Sequence, residues 1–231
     1  MQTNNGDHSA ACGLDYFRPH LFYDTFAMRD IDGNPMIAIL FPFFPRGKTR
    51  QQLMAHSTKI QLKSCWNGMG TPSPSFRYAN LPNLVSLNAA PFQNQSLPLR
   101  FRAISSSLSL QDGYLEGSEA CLIHADMQAH WSTASPHQTY LNPLVRVSYT
   151  QSAYSAQNSI AQLFMERVVG HIVAWAYDFR DWCVQCRLAQ HKSERREKVR
   201  EWEKMSGKEE VGEYCLIDQM QLLTPWGWAH V

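Results

Sequence analysis

The stretch Ser159–Leu188 constrains this chain most. Phe164, Val168, Ile172 and Ala176 recur at steps of four, and Val169, Val173 and Trp175 widen them into an apolar stripe. That period predicts a long helix with one face for a core. The following segment, Lys192–Glu213, carries seven basic and seven acidic residues and reads as a solvated, mixed-charge helix or linker. Within it, Glu194 and Lys198 can pair at i+4. The strand candidates all lie earlier. In Leu97–Ile104, Leu97, Leu99, Phe101 and Ala103 alternate with Pro98, Arg100 and Arg102. In Tyr140–Tyr149, Val145, Val147 and Tyr149 share one face, and Leu84–Ala90 is a third candidate. Met36–Phe44 is expected as a buried strand or extended loop, and Gln51–Ile60 as a short helix or loop.

These elements suggest an order. Residues 1–10 are polar and expected to be disordered, and residues 11–190 form one α/β domain. Its segment 70–83, rich in Pro and Ser, reads as an insertion loop. Residues 191–213 form the charged helix or linker, and 214–231 an apolar, aromatic tail that docks back on the domain. A chain of 231 residues with 44% hydrophobic content can bury such a core. Lysine plus arginine (21) nearly balances aspartate plus glutamate (20), so there is no basic field of the kind nucleic acid requires. The run Met36–Pro45 is too short to span a bilayer and no signal peptide is visible, so the chain as written reads as soluble.

Six cysteines are too few for a disulfide scaffold. Cys12, Cys65, Cys121 and Cys215 are scattered, and no pairing among them follows from the sequence. Cys183 and Cys186 read first as structural cysteines on one helix, with a zinc module as the weaker alternative. The sequon Asn94-Gln-Ser96 fits a secretory compartment.

The chemistry concentrates around Tyr114–Met127. Gly117 and Ser118 form a turn, Ser118 is a good N-cap for a helix running towards Ala129, and Glu119 falls in its first turn. By itself the stretch reads as a capped core helix with solvated acids. His124 and Asp126 would leave that helix on different sides, which argues against a dyad. Asp30-Ile-Asp32 is a bare Asp-x-Asp triplet, able to hold a divalent ion or to serve as a plain turn. Trp66-Asn67 offers an indole face and an amide on one turn, a combination suited to sugars or to simple burial. Arg100 and Arg102 share a strand face that could clamp phosphates.

Seven blocks then occur in one order: Ala11–Tyr16, Tyr23–Gly33, Lys63–Gly68, Asn88–Phe92, Leu99–Arg102, Leu115–Asp126 and Tyr140–Tyr149. In these blocks the chain resembles the fungal capsule-associated α-1,3-mannosyltransferases (glycosyltransferase family 69, the cryptococcal mannosyltransferase group), over the C-terminal part of their domain. The resemblance implies a partial GT-A-like, Rossmann-like α/β domain closed by a long C-terminal helix. It further implies transfer of mannose from GDP-mannose to a glycan acceptor with a divalent ion, manganese, in a Golgi membrane protein. The membrane anchor and the first nucleotide-binding strands would lie upstream. On this reading Glu119, and next Glu116, positions or deprotonates the acceptor. Trp66 and Asn67 contact sugar, Arg100 or Arg102 approaches the donor phosphates, and Asp30 and Asp32 are second-rank metal candidates. The alternative is a non-catalytic glycan-binding or interaction fragment.

Overall fold

Gly13 fixes the centre of the sheet. A β-carbon there would lie 2.6 Å from the carbonyl oxygen of Val145 and 2.8 Å from its side chain, so no other residue fits. The computed structural model describes residues 10–37, 39–66, 70–72, 101–103, 115–131, 138–217, 221–224 and 227–230. In chain order the elements are β1 (Ala10–Arg18), β2 (Leu21–Phe22), α1 (Lys48–Met54), β3 (Ile60–Leu62), β4 (Gly70–Pro72), β5 (Glu116–Gly117), α2 (Glu119–Trp131), β6 (Thr139–Ser148), α3 (Gln151–Gln157) and α4 (Ile160–Ser206). A short 3-10 turn at Glu213–Cys215, β7 (Leu216–Ile217) and a hairpin of β8 (Gln221–Thr224) with β9 (Gly227–His230) complete the order.

Strand β1 is buried from Ala10 to Tyr16, as a central strand covered on both faces must be. It pairs in parallel with β6, and β3 adds antiparallel to the far side of β6. On its other side β4 pairs at Ala10–Cys12 and β2 at Tyr16–Arg18, both antiparallel. The β1–β6 register slips between Cys12 and Leu14, where Cys12 faces Leu141 but Leu14 faces Arg146. Pro143, which cannot donate to a ladder, lies inside that bulge. The architecture is mixed α/β. Among the described residues its sheet holds one parallel pair, β1–β6, rather than a run of parallel Rossmann-type strands.

Two apolar clusters hold the fold, and each contains a disulfide. Cys12–Cys65 sits among Leu14, Tyr16, Phe22, Phe43, Phe44 and Leu141, whereas Cys121–Cys215 sits among Leu115, Leu122, Val199, Trp202 and Leu216. The cross-links span 53 and 94 residues. Chain-entropy reasoning gives each about 4–5 kcal/mol. Helix α2 joins the two clusters. Its Cys121 and Leu122 enter the second, while fully buried His124 bonds back to the Cys65 carbonyl at 2.8 Å and to the Thr139 hydroxyl at 3.2 Å. Burial lowers the His124 pKa to about 4, so the ring is neutral.

Several expectations change. The helix near residue 50 starts and ends earlier than Gln51–Ile60 suggested, at Lys48–Met54. Of the two alternatives for Met36–Phe44, its described residues take the loop, whereas Gly70–Pro72, at the start of the supposed insertion, is strand β4. Phe101–Ala103 form no strand, because Arg102 is drawn out to two carboxylates. The strand candidate Leu84–Ala90 and the sequon lie outside the described residues. Helix α4 runs unbroken through the charged segment to Ser206, capped by the Ser159 hydroxyl at its start and by Gly207 with positive φ at its end.

The largest correction concerns the apolar stripe of α4, which faces solvent. Phe164 is 62% exposed, Ile172 61% and Trp175 69%, while Gln162, Glu166 and Ala174 are buried. The reason is the partner surface. Glu166 bonds the buried Arg146 of β6 at 2.6 Å, and Gln162 bonds Glu166 at 2.7 Å. Further along, Arg50 donates to the Ala174 carbonyl and to Asp178. A face of guanidinium groups selects the polar side of the helix.

Candidate functional site

Because β1 and β6 run in parallel, their carboxyl ends open at one edge, the place where α/β sheets gather ligands. Asp15, near the end of β1, accepts from the Tyr149 hydroxyl, just beyond β6, at 2.9 Å. The Asp15 carbonyl accepts from the Tyr23 amide, also at 2.9 Å, which fixes the loop that follows β2. The Tyr23 and Tyr149 rings meet edge-on, with centroids 5.4 Å apart. Burial of its hydroxyl and the neighbouring Asp15 push the Tyr149 pKa up to about 12, so it stays a donor.

Asp24 is the next residue. Its carboxylate accepts from the amide of Ala27 at 3.0 Å and from the amide of Trp66 at 3.3 Å. Trp66 reaches this point because Cys65 is tied to β1 by the disulfide and held by His124. Its indole is 47% exposed and stands edge-on to Phe101 at 5.2 Å. Burial pushes the Asp24 carboxyl up to about 6, with the two amides and Arg29 pulling it part of the way back. Four exposed rings, Tyr23, Tyr149, Trp66 and Phe101, therefore stand near two acids. Exposed rings stack on the C–H faces of sugars, and a carboxyl titrating near neutrality can take a proton from a hydroxyl.

Helix α2 begins nearby. The Ser64 hydroxyl donates to the Ala27 carbonyl at 2.6 Å and lies 3.1 Å from the Cys121 sulfur. Trp66 follows Ser64 by two residues, and Glu119 precedes Cys121 by two. As expected, Ser118 caps the helix, its hydroxyl accepting from the Cys121 amide at 3.3 Å, and Glu119 is exposed in the first turn. Glu116 lies in β5 opposite Ile217. His124 and Asp126 turn to different partners, as the helical spacing requires.

Of the remaining candidates, Asp30 and Arg102 are engaged elsewhere. Asp30 is buried and accepts from the amides of Asp32 and Asn34 and from the Asn34 side chain, so it ties its own turn. Asp32 sits at the rim of that turn. Among the described residues no three His, Cys, Asp or Glu side chains are grouped to hold a metal ion. The Cys183 side chain, half of the zinc alternative, lies outside the described residues. Arg102 binds Asp126 through two nitrogens at 2.7 and 2.9 Å and Glu210 through two at 2.9 and 2.7 Å. Its charge is thereby spent on two buried acids. Asn67 and Arg100 lie outside the described residues. Arg29, which no sequence signal singled out, is fully buried and donates to the carbonyls of Phe26, Met28 and Tyr214, fastening the C-terminal segment to this loop. Asp24 also went unselected, although the run Phe22-Tyr-Asp-Thr-Phe26 already mixes acid with aromatics.

A family model described as cryptococcal mannosyltransferase 1 matches residues 1–126 of the chain. No curated protein and no solved structure matches.

Proposed function

Because this chain belongs to the cryptococcal mannosyltransferase 1 family, whose model covers more than half of it, we propose that it transfers mannose from GDP-mannose to a glycan acceptor in α-1,3 linkage. At the coarser level it is a mannosyltransferase-family domain. The single observation that supports the finer reading is the ring of exposed aromatics around Asp24. On this reading Trp66, Tyr23 and Tyr149 stack against sugar. An acceptor hydroxyl attacks the anomeric carbon of mannose, the bond to the GDP phosphate breaks, and Asp24 takes the hydroxyl proton. Glu119, at the neighbouring helix start, positions the acceptor or shares that task. With Arg102 engaged, Arg100 is the arginine that approaches the donor phosphates, and Asn67 joins Trp66 on sugar. Manganese dependence is part of the proposal, with ligands beyond Asp30 and Asp32. A Golgi lumenal setting is consistent with two buried disulfides, which form in oxidising compartments. No helix among the described residues is long and apolar enough to cross a membrane.

The test is a GDP-mannose transfer assay with and without manganese on the full-length family protein. Asp24→Asn and Glu119→Gln are compared with wild type. Asp24→Asn is expected to lower kcat/KM by about 100-fold or more. The wild-type rate should rise as the pH passes through about 6, where the Asp24 carboxyl ionises. Unchanged kcat/KM in both variants would overturn the reading.

The stability sign is the reverse of the activity sign. Asp24 holds its proton longer in the folded state than the ordinary value of 3.8 allows, so stability falls as pH rises from about 4 to about 6. The loss is on the order of 2 kcal/mol, and Asp24→Asn should remove it, as urea melts across that range would show.

The platform of exposed rings also suits a glycan-binding fragment without catalysis. Calorimetry separates the two readings: binding of GDP-mannose with manganese supports a donor site, and binding of mannan alone supports the fragment.

A further inference from the structure

The outward face of α4 has a period that a partner helix would share. Met165, Val168, Ile172, Trp175 and Phe179 are all exposed and follow steps of three and four, and Phe179 is 84% exposed. The sequence continues the steps to Trp182 and to Cys186, which is a free, exposed thiol. A repeat of 3.5 residues keeps one stripe against a second helix wound beside it. The opposite side of the same turns is already occupied: Gln162, Glu166 and Ala174 are buried, and a β-carbon on Gly170 would lie 2.7 Å from the Phe41 ring. Among the described residues the apolar seam is left exposed.

From this periodicity and exposure we infer that α4 docks a second copy of this chain through that face. The area is adequate. Phe164, Trp175 and Phe179 alone expose roughly 400 Å², and their aliphatic neighbours bring the face to roughly 800 Å², the usual share of one partner. That exceeds the ~300–600 Å² of the largest apolar patch on a typical monomer. Two copies related by a two-fold axis set the stripe against itself, so every ring meets an apolar counterpart. A bilayer is a poorer match. Between Ile160 and Phe179 the charged residues are Glu166, Arg167 and Asp178. Glu166 is bound to Arg146, and Asp178 to Arg46 and Arg50. Arg167, with Arg180 offset by Asp181 further along the seam, does not make the basic flank that anionic lipid attracts.

Sedimentation velocity of the full chain, from about 1 to about 50 µM, tests this. Wild type should sediment as a dimer in the upper part of that range. Ile172→Glu with Trp175→Glu should weaken association by about 100-fold or more while leaving circular dichroism unchanged, since both side chains are exposed in the monomer. Leu144→Glu, at an equally exposed leucine in β6, should leave the dimer intact. Monomeric wild type at the highest concentration overturns the inference, and so does a double variant that still dimerises. A monomer that floats with anionic vesicles also overturns it, and would assign the face to lipid.

Discussion

Between Ile160 and Phe179, helix α4 turns Gln162 and Glu166 inward and Phe164, Ile172 and Trp175 outward. Between Arg195 and Trp202, the same helix packs Val199 and Trp202 against Cys121, Cys215 and Leu216 and leaves Arg196, Glu197, Arg200 and Glu201 exposed. One continuous helix thus follows two opposite packing plans. The difference lies in what each half meets. The first half lies over the buried guanidinium groups of Arg146 and Arg50, which need carboxylates and carbonyls. The second half lies over a disulfide cluster, which needs apolar surface. Even there Arg195 is buried, but its charge is met by the Leu216 carbonyl at 3.0 Å and by Glu213 at 3.8 Å. A helix's inward face is therefore set by its neighbours, and amphipathicity alone does not identify it.

Removing the carboxylate from the polar half should have the largest effect. Glu166→Ala strands Arg146 in the interior and should cost about 3–5 kcal/mol in urea unfolding, whereas Arg146→Leu with Glu166→Leu should recover most of that loss. Equal destabilisation by the single and double variants would mean that the inward face is not organised by this ion pair. In the apolar half, Trp202→Ala should cost about 3–4 kcal/mol by leaving a cavity beside Cys121–Cys215. A loss well below 1 kcal/mol would show that the second cluster is not packed as described. Gly170→Ala is a smaller, sharper probe of the polar half. Its new methyl would press on Phe41, for an expected loss of about 1–3 kcal/mol, and Gly170→Ala with Phe41→Leu should relieve it. A stabilising Gly170→Ala, the usual result within a free helix, would mean that α4 does not approach Phe41 closely.

Some of the site could be read in advance. Ser118 as a cap, Glu119 in the first turn and the divergence of His124 from Asp126 all follow from local helix geometry, which needs no knowledge of the rest of the chain. Trp66 was readable as an indole on a turn, although its exposure was not. Asp24 escaped because its distinguishing property, a carboxyl raised to about 6, arises from burial in the folded chain, against the pull of the Ala27 and Trp66 amides. Arg102 was misread for the same reason. Alternation with Phe101 and Ala103 placed it on a strand face, but Asp126 and Glu210 draw it out of any strand.

The sequence by itself determined the local elements: the strand at Tyr140–Tyr149, found at Thr139–Ser148, the capped helix α2, and helical structure from Ser159 onward. It also carried the family, through blocks whose order survives without knowledge of their contacts. Only the tertiary structure decided which cysteines pair, which acid gathers the aromatic rings, and which side of α4 is the inside. Period and capping act over a few residues, whereas pairing and burial depend on groups 53 or 94 residues away. The apolar stripe of Ser159–Leu188 shows the limit. Its period fixed a helix, but the guanidinium groups of Arg146 and Arg50 turned that stripe outward, because a buried charge without a partner costs more than apolar side chains left in water.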